Sequence, residues 1–568
     1  LTDVLRDKLG FDGLVVADYG SIHHAYSRYR VGTDPKETAI LALRAGMDVE
    51  QPNNYCYKYL VEAVEAGDIE ECYIDRSVRR VLETKFKLGL FENPYGTGDF
   101  FAEIAKTESA KLSQEIAEKS IVLVKNEDHI LPLQKKLKIA LIGPSADDRT
   151  NFFGGYSSVN SASTTSSDFD KSEEDNFLKM IYSGAITEHK ASYQALGIDF
   201  EDKPSPEQKT MIINLIKQSL SSGSTTNKVY DTTEEFARKY YPDCKSVKDV
   251  LEEEFGKEQI LYAKGCAIRE AIDGGIDAVR TAVEEADIVI AVLGGKESMI
   301  DPQATCGENR DNINIELEQP QLEMMDEVFK LNKPVISVIV DGRPLATPSI
   351  SEHSKAVLYS WLPAQAGAQA LVDILTGRSN PSGKLPVTIV KEVGQIPMYT
   401  SRLSLYVEID DWAEYIGHDK TRPLYPFGHG LSYTQFEYSD LNWSRTVRPD
   451  GELKLDFKLK NTGSCAGDEV VQVYIRDQVG SVARPVKQLV GFVKVGLEAG
   501  ETKEVAFSVS MKQLAFHDLN MEQVVEPGKM EVFIGASSQD IRLQEVFEIT
   551  GDKVVVDRKV FTSKAVIG

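Results

Sequence analysis

A chain of 568 residues has room for two to four domains. With 42% apolar and 27% charged residues it is an ordinary globular protein, which excludes fibrous and wholly disordered classes. The net charge of −24 argues against nucleic acid or an anionic membrane as partner, since both need a positive surface; the acidity is read first as solubility.

The first ninety residues alternate between strand and helix signals. The opening LTDVLRDKL reads as a helix already under way, and with Leu1 rather than Met at the start the chain is expected to be processed or a fragment. The stretch GLVVAD follows as a buried strand that ends on Asp18. Asp34 and Pro35 then start the helix PKETAILALRA, which Gly46 closes. MDVEQP reads as a second short strand, again with an acid, Glu50, near its end. The helical segments YKYLVEAVEAG and IDRSVRRVLETKFKLGL complete a parallel βα pattern. Acids at the C-terminal ends of such strands are where α/β barrels place catalytic groups.

FENPYGTGDF (91–100) reads as a linker. Beyond it, strands are expected at 120–126, 138–144, 259–265, 288–295, 334–342 and 356–362, with helices between most of them. Several are continuous apolar runs, which suits a parallel sheet buried on both faces. A serine-rich, polar insert of about 100 residues, with helical pieces, interrupts this region from Tyr156 to about Gly256. From about residue 436 the pattern changes to period-two strands such as ELKLDFKLKN, TKEVAFSVS and KMEVFIGA, separated by turn residues, as in a β-sandwich.

No apolar run approaches the roughly 18 residues of a membrane span, and no leader pattern opens the chain. Cys56, Cys72, Cys244, Cys266, Cys306 and Cys465 are scattered without metal-ligand spacing. Free thiols in a reducing compartment are expected, which favours a cytoplasmic over a secreted protein. GGKES and DGG lack the spacing of a nucleotide fingerprint, and no serine sits in a G-x-S-x-G elbow.

Two places offer chemistry. Asp18, between a strand and Tyr19-Gly20, reads either as a nucleophile or base or as an acid that caps a loop or helix. KESMIDPQATCGENRDN (296–312) gathers Glu297, Asp301, Glu308, Arg310 and Asp311 on one loop beyond a buried strand; it reads as a site or as a solvated loop of an acidic protein. Two carboxylates on separate elements suggest glycoside hydrolysis, with retention at a gap of roughly 5–5.5 Å and inversion at roughly 6.5–9.5 Å. His23 and His24 are read as pocket residues or helix-start polar residues, and His429 as a structural hydrogen-bonding group.

Taken in order, LGFDGLVVADYG, IDRSVRRVLETKFKLGLFENPY, SIVLVKNEDHILPL, KIALIGPSAD, ATCGENRDNINIELEQPQ, VIVDGRPLA, NPSGKLPVTIV, LYPFGHGLSYTQFEY and GDEVVQVYIRDQVGSVARPVKQLVGFVKV resemble the C-terminal two-thirds of a family 3 glycoside hydrolase. The resemblance implies an α/β plus all-β chain: residues 1–92 as the end of a (β/α)8 barrel, 113–400 as an α/β sandwich with the insert at about 157–256, and 436–568 as a fibronectin type III-like β-sandwich. It implies Asp18 as nucleophile, Glu308 as acid/base with Glu297 as runner-up, and Tyr19 as the aromatic near the sugar ring. It implies a retaining exo-β-glycosidase without metal or organic cofactor, acting on a small oligosaccharide or β-glycoside; a homo-oligomer is left open. β-Glucosidase is the first choice of activity and β-xylosidase the second, because HHAYSRYRV and GENRD resemble members that accept xylosides. Departures are Asp311-Asn312 for Asp-Arg and Pro363-Ala364 for Pro-Gly. A barrel of about 250 residues exceeds what 1–92 supplies, so the glycone-binding groups of earlier strands have no counterpart here. The alternative of another class is a non-catalytic carbohydrate-binding or scaffolding remnant.

Overall fold

The computed structural model describes residues 1–95, 107–134, 136–162, 233–298, 301, 303–308, 310–403 and 422–568. The chain divides into two compact units, residues 1–103 and 104–568.

In the first unit the opening helix is present, wound as a π-helix over Thr2–Lys8. The helix Pro35–Ala45 starts where Asp34 accepts from the Glu37 amide at 2.8 Å and ends on Gly46 at φ +102°. Its other α-helices among the described residues are Ser21–Ser27, Leu60–Glu65 and Glu71–Lys87. Ala39, Leu43, Leu60, Ala63 and Ile69 form a small core with Ala17 and Ile22. The two expected strands are corrected here. They run parallel, with Ala17 N–H on Val49 O and Asp48 N–H on Val15 O at 2.9 Å each, but pair as the single bridge Val16–Val49. Val16 is 43% exposed, so this is not a buried strand. Within this unit each extended segment pairs along one edge, and a pair of strands without further neighbours is marginal in water.

The second unit is built on a six-stranded sheet: β1 (Val122–Asn126), β2 (Ile139–Ile142), β3 (Ile260–Ala263), β4 (Ile288–Gly294), β5 (Val335–Val340) and β6 (Ala356–Tyr359), in the order β1-β6-β5-β4-β2-β3. All neighbours are parallel except β1, which runs antiparallel to β6. The expectation of a parallel sheet therefore holds for five strands and fails at β1. An apolar run records burial but not strand direction, and an antiparallel edge strand on a parallel sheet is common. β4 and β5 are buried at every position. Alternate residues feed two cores. Ile290, Val292, Ile336 and Val338 pack with helices Val247–Phe255 and Gly367–Leu375; Val289, Ala291, Leu293 and Ile339 pack with Gly275–Glu285 and Gln319–Lys330.

Much of the insert, including FLKMIYSGAITEHKASYQALG and PEQKTMIINLIKQSL, lies outside the described residues. Of its described part, helices Ser158–Ala162 and Thr233–Tyr240 share a small cluster of Phe153, Val159, Ala237 and Cys244. Helix Val247–Phe255, which the sequence places in the insert, buries Val247, Val250 and Leu251 in the main α/β core. Its charged face masks its membership in a sequence reading, and its capping box at Ser246 and Asp249 starts it on the core side.

The C-terminal part is a sandwich. A four-stranded sheet holds β7 (Phe436–Trp443), β9 (Glu452–Asn461), β12 (Thr502–Ser510) and β15 (Lys564–Ile567). A five-stranded sheet holds β8 (Thr446–Val447), β10 (Gly467–Asp477), β11 (Gln488–Leu497), β13 (Gly528–Gly535) and β14 (Ile541–Ile549). β9 alternates strictly between exposed and buried, and its Leu453, Leu455, Phe457 and Leu459 share a core with Val471, Val473 and Ile475 of β10. The sandwich is tied to the α/β region by the Lys384–Glu469 ion pair at 3.0 Å and by Gln472 Nε2, which donates to Gly428 O at 3.0 Å. Burial pushes the Glu469 carboxyl above its ordinary range, against the pull of Lys384. His429 sits near this junction as a structural group: half-buried, hydrogen-bonded to Val124 O at 2.9 Å and stacked on Tyr425. All six cysteines are free thiols.

Candidate active site

Asp18 closes the extended segment 14–18. Its Oδ1 accepts from the Tyr19 amide at 2.7 Å, and its carbonyl accepts from Ser21 N–H at 3.0 Å. Gly20 then turns the chain at φ +72°, a conformation costly for any residue with a Cβ, and helix Ser21–Ser27 begins. The turn is pinned by Gly20 N–H on Gln51 O at 2.8 Å. Asp18 and Tyr19 are both exposed, Tyr19 at 68%. His23 and His24 lie on the helix, with the His23 ring 5.1 Å from that of Tyr55.

The sequence reading missed the residue that holds this turn's foundation. Asp48 is fully buried at its side chain, and its carboxylate collects Val15 N–H at 3.0 Å, Arg6 at 3.0 Å, Ser77 Oγ at 2.8 Å and Arg80 at 2.9 Å. Burial alone would raise this carboxyl, yet the Val15, Ser77 and Arg80 donors hold it below the ordinary range. Glu50, the other acid of that segment, caps a helix start by accepting from Cys56 and Tyr57 N–H at 3.0 and 2.7 Å.

In the second unit, the loop after β4 folds back on itself. Glu297 bridges to Cys306, and Gly307 to Arg310. Lys296 pairs with Asp301 at 2.7 Å, and Arg310 donates to Asp301 O at 2.5 Å. This loop sorts its acids. Asp301 is absorbed in the framework, Glu297 is half-buried, and Glu308 is exposed at the turn, accepting from the Tyr156 hydroxyl at 2.8 Å. Asp311 is exposed, and Asn312 donates to Glu318 at 2.9 Å. Behind the loop lies Asp341, a buried carboxyl that the sequence did not single out. Burial raises it above the ordinary range, and Glu297 adds to this; the nearby Arg343 opposes it. Burial and the Asp341 charge push the Cys306 thiol up to about 11.

Thus Asp18 and Tyr19 belong to the first unit, and Glu297 and Glu308 share one loop of the second. Tyr156 carried a faint signal, an aromatic after two glycines at the entry to the insert. Asp341 follows an apolar strand as Asp18 does, and Asp48 carried no signal, because a buried acid is recognised by its partners and not by its neighbours in sequence.

An α/β layer fused to a β-sandwich, with a βα segment before it in the chain, is a multidomain architecture. The chain belongs to glycosyl hydrolase family 3. Residues 121–433 match the model of the family's C-terminal domain, residues 1–84 that of its N-terminal domain, and residues 469–538 that of the fibronectin type III-like domain. The chain is 31% identical to a periplasmic β-glucosidase of Salmonella typhimurium over 97% of its own length and 65% of the relative's. It is 33% identical to a putative β-xylosidase of Formosa agariphila over 95% of its own length and 60% of the relative's. Among solved structures, a β-glucosidase from Listeria innocua in complex with glucose superposes with a TM-score of 0.76 at 29% identity, covering 97% of this chain and 64% of that one. This chain thus spans 60–65% of the length of these proteins.

Proposed function

We propose that the protein acts as a retaining exo-β-glycosidase, with Asp18 as nucleophile and Glu308 as general acid/base. The observation that carries this reading is that the two acids marked by the family's motifs are exposed on backbone turns, outside every apolar core. Other acids near them, Asp48, Glu50 and Asp301, are taken up in structural bonds. In the first step an Asp18 oxygen forms a bond to the anomeric carbon while the bond to the leaving oxygen breaks and Glu308 delivers its proton there. In the second, water attacks the same carbon, Glu308 takes the proton, and the ester bond to Asp18 breaks. Tyr19, next to the nucleophile, is the aromatic surface offered to the sugar ring. Glu297 is assigned to the framework, with the role of alternative acid open to the Glu297→Ala variant. The division into a barrel-derived segment (1–92), an α/β sandwich (113–400) and a fibronectin-like sandwich (436–568) belongs to the same reading.

The preferred substrate is a terminal β-glucoside. Relatives are named as β-glucosidases, and Listeria innocua structures hold glucose or laminaribiose. β-Xylosides are the second reading, favoured by the Formosa agariphila relatives. Hydrolysis of aryl β-glucoside and aryl β-xyloside by the folded protein tests it, and the ratio of the two kcat/KM values names the sugar. Binding of β-glycosides without turnover would instead make this a carbohydrate-binding protein.

A further inference from the structure

The stretch Gly154-Gly155-Tyr156 connects the core residue Phe152 to helix Ser158–Ala162. Its glycines lie against the side chain of Glu297: a Cβ on Gly155 would stand 3.2 Å from Glu297 Cγ and 3.3 Å from Oε1, and one on Gly154 would stand 3.4 Å from Oε2. Asn160 locks the two loops together. Its Nδ2 donates to the carbonyls of Phe153 at 2.8 Å, Gly154 at 3.0 Å and Glu297 at 3.3 Å. From this anchored base Tyr156 projects, 75% exposed, and donates its hydroxyl to Glu308 Oε2 at 2.8 Å. Burial therefore does not explain the position of Tyr156, whereas the hydroxyl bond does give it a partner.

We propose that Tyr156 is a positioning residue for Glu308, its O–H engaging Oε2 so that the proton given and taken in catalysis resides on Oε1. This rests on the assignment of Glu308 as acid/base. A phenolic O–H directed at Oε2 disfavours a second proton there and fixes the plane of the carboxyl. In the first step the Oε1–H bond breaks and the proton passes to the glycosidic oxygen as that oxygen leaves the anomeric carbon. In the second step a proton from the attacking water returns to Oε1. Glu297 and the glycine pair hold Tyr156 in place and take no part in the transfer.

The test is a leaving-group comparison on the intact protein. Tyr156→Phe removes one oxygen at an exposed site, and circular dichroism checks the fold. With a phenyl glycoside, whose leaving group needs protonation, kcat/KM falls about tenfold, as for loss of one hydrogen bond to a charged group. With a dinitrophenyl glycoside, whose leaving group does not, the change stays within about twofold. The double variant Tyr156→Phe/Glu308→Ala is no slower than Glu308→Ala alone. Equal losses on both substrates, no loss on either, or an additive loss in the double variant would overturn the proposal while leaving Glu308 as acid/base intact. The same comparison on Glu308→Ala separates the two readings: if that variant shows no leaving-group dependence, the acid/base assignment itself falls, and this inference with it.

Discussion

The two regions that carry the candidate carboxylates are built in opposite ways. Asp18 stands on a backbone turn whose geometry is fixed by main-chain bonds: its own Tyr19 amide, Ser21 N–H on its carbonyl, and Gly20 N–H on Gln51 O. Beneath it lies a sparse core, a single β-bridge and one buried acid, Asp48, that gathers four donors. Glu308 stands on a loop anchored to β4, a strand buried at every position, and side chains set its place: Tyr156 on the carboxylate, Lys296–Asp301 and Arg310 in the framework. A group held by backbone tolerates changes in its neighbours' side chains; a group held by side chains does not. The first region should therefore be sensitive at Asp18 itself and at Asp48, and the second at several positions around Glu308.

The largest effect expected is at the nucleophile. Asp18→Asn should lower kcat by roughly 10⁴-fold or more with the fold unchanged, since removing a covalent nucleophile removes the two-step route. Residual activity near that of the parent would take Asp18 out of the role. Next comes Glu308→Ala, expected to lose about 10²- to 10⁴-fold on poor leaving groups and to recover in part with azide, which replaces the missing base. Glu297→Ala should show neither leaving-group selectivity nor azide rescue, because Glu297 supports the glycine pair at 154–155. If Glu297→Ala behaves as the acid does, the assignment of the two acids is reversed.

Asp48→Ala sharpens the comparison through stability. It leaves Arg6, Arg80, Ser77 and the Val15 amide without their common acceptor, at a cost of about 3–5 kcal/mol, read from urea unfolding or proteolysis of the first unit. The pH dependence follows from the lowered pKa. A carboxylate whose folded-state value is depressed adds stability that is fully present above its unfolded value, about 3.9, and is lost as the pH falls through the folded-state value. The parent should therefore lose stability on acidification below about pH 4 more steeply than Asp48→Ala. The smallest effect lies in the second region. Ala364 holds φ +55° beside Pro363, at a position where the sequence departs from the family's Pro-Gly, and its amide donates to Phe152 O at 2.9 Å. Ala364→Gly should stabilise the protein by about 1 kcal/mol, seen as a higher urea midpoint, because a left-handed residue with a Cβ is strained. A lower midpoint would mean that flexibility of the unfolded chain outweighs that relief.

Period and composition decide much of this protein without help. The apolar runs at β4 and β5, the strict alternation of β9 and the Asp34–Gly46 helix punctuation are local signals, and the structure realises each of them. The motif order also made the family legible, because it needs residue types in sequence and no coordinates. What the sequence could not decide are the pairings. The antiparallel turn of β1, the reduction of the first two strands to one bridge, and the attachment of helix Val247–Phe255 to the main core depend on which distant segments are available as neighbours. The same holds for the acids. Asp18, Asp48, Glu50, Asp301 and Glu308 look alike in a sequence, and their roles separate once donors from remote positions arrive: Arg6 and Arg80 on Asp48, the Cys56 and Tyr57 amides on Glu50, Lys296 on Asp301, and Tyr156 on Glu308. A carboxylate's chemistry is set by its burial and by what is hydrogen-bonded to it, and both are properties of the fold.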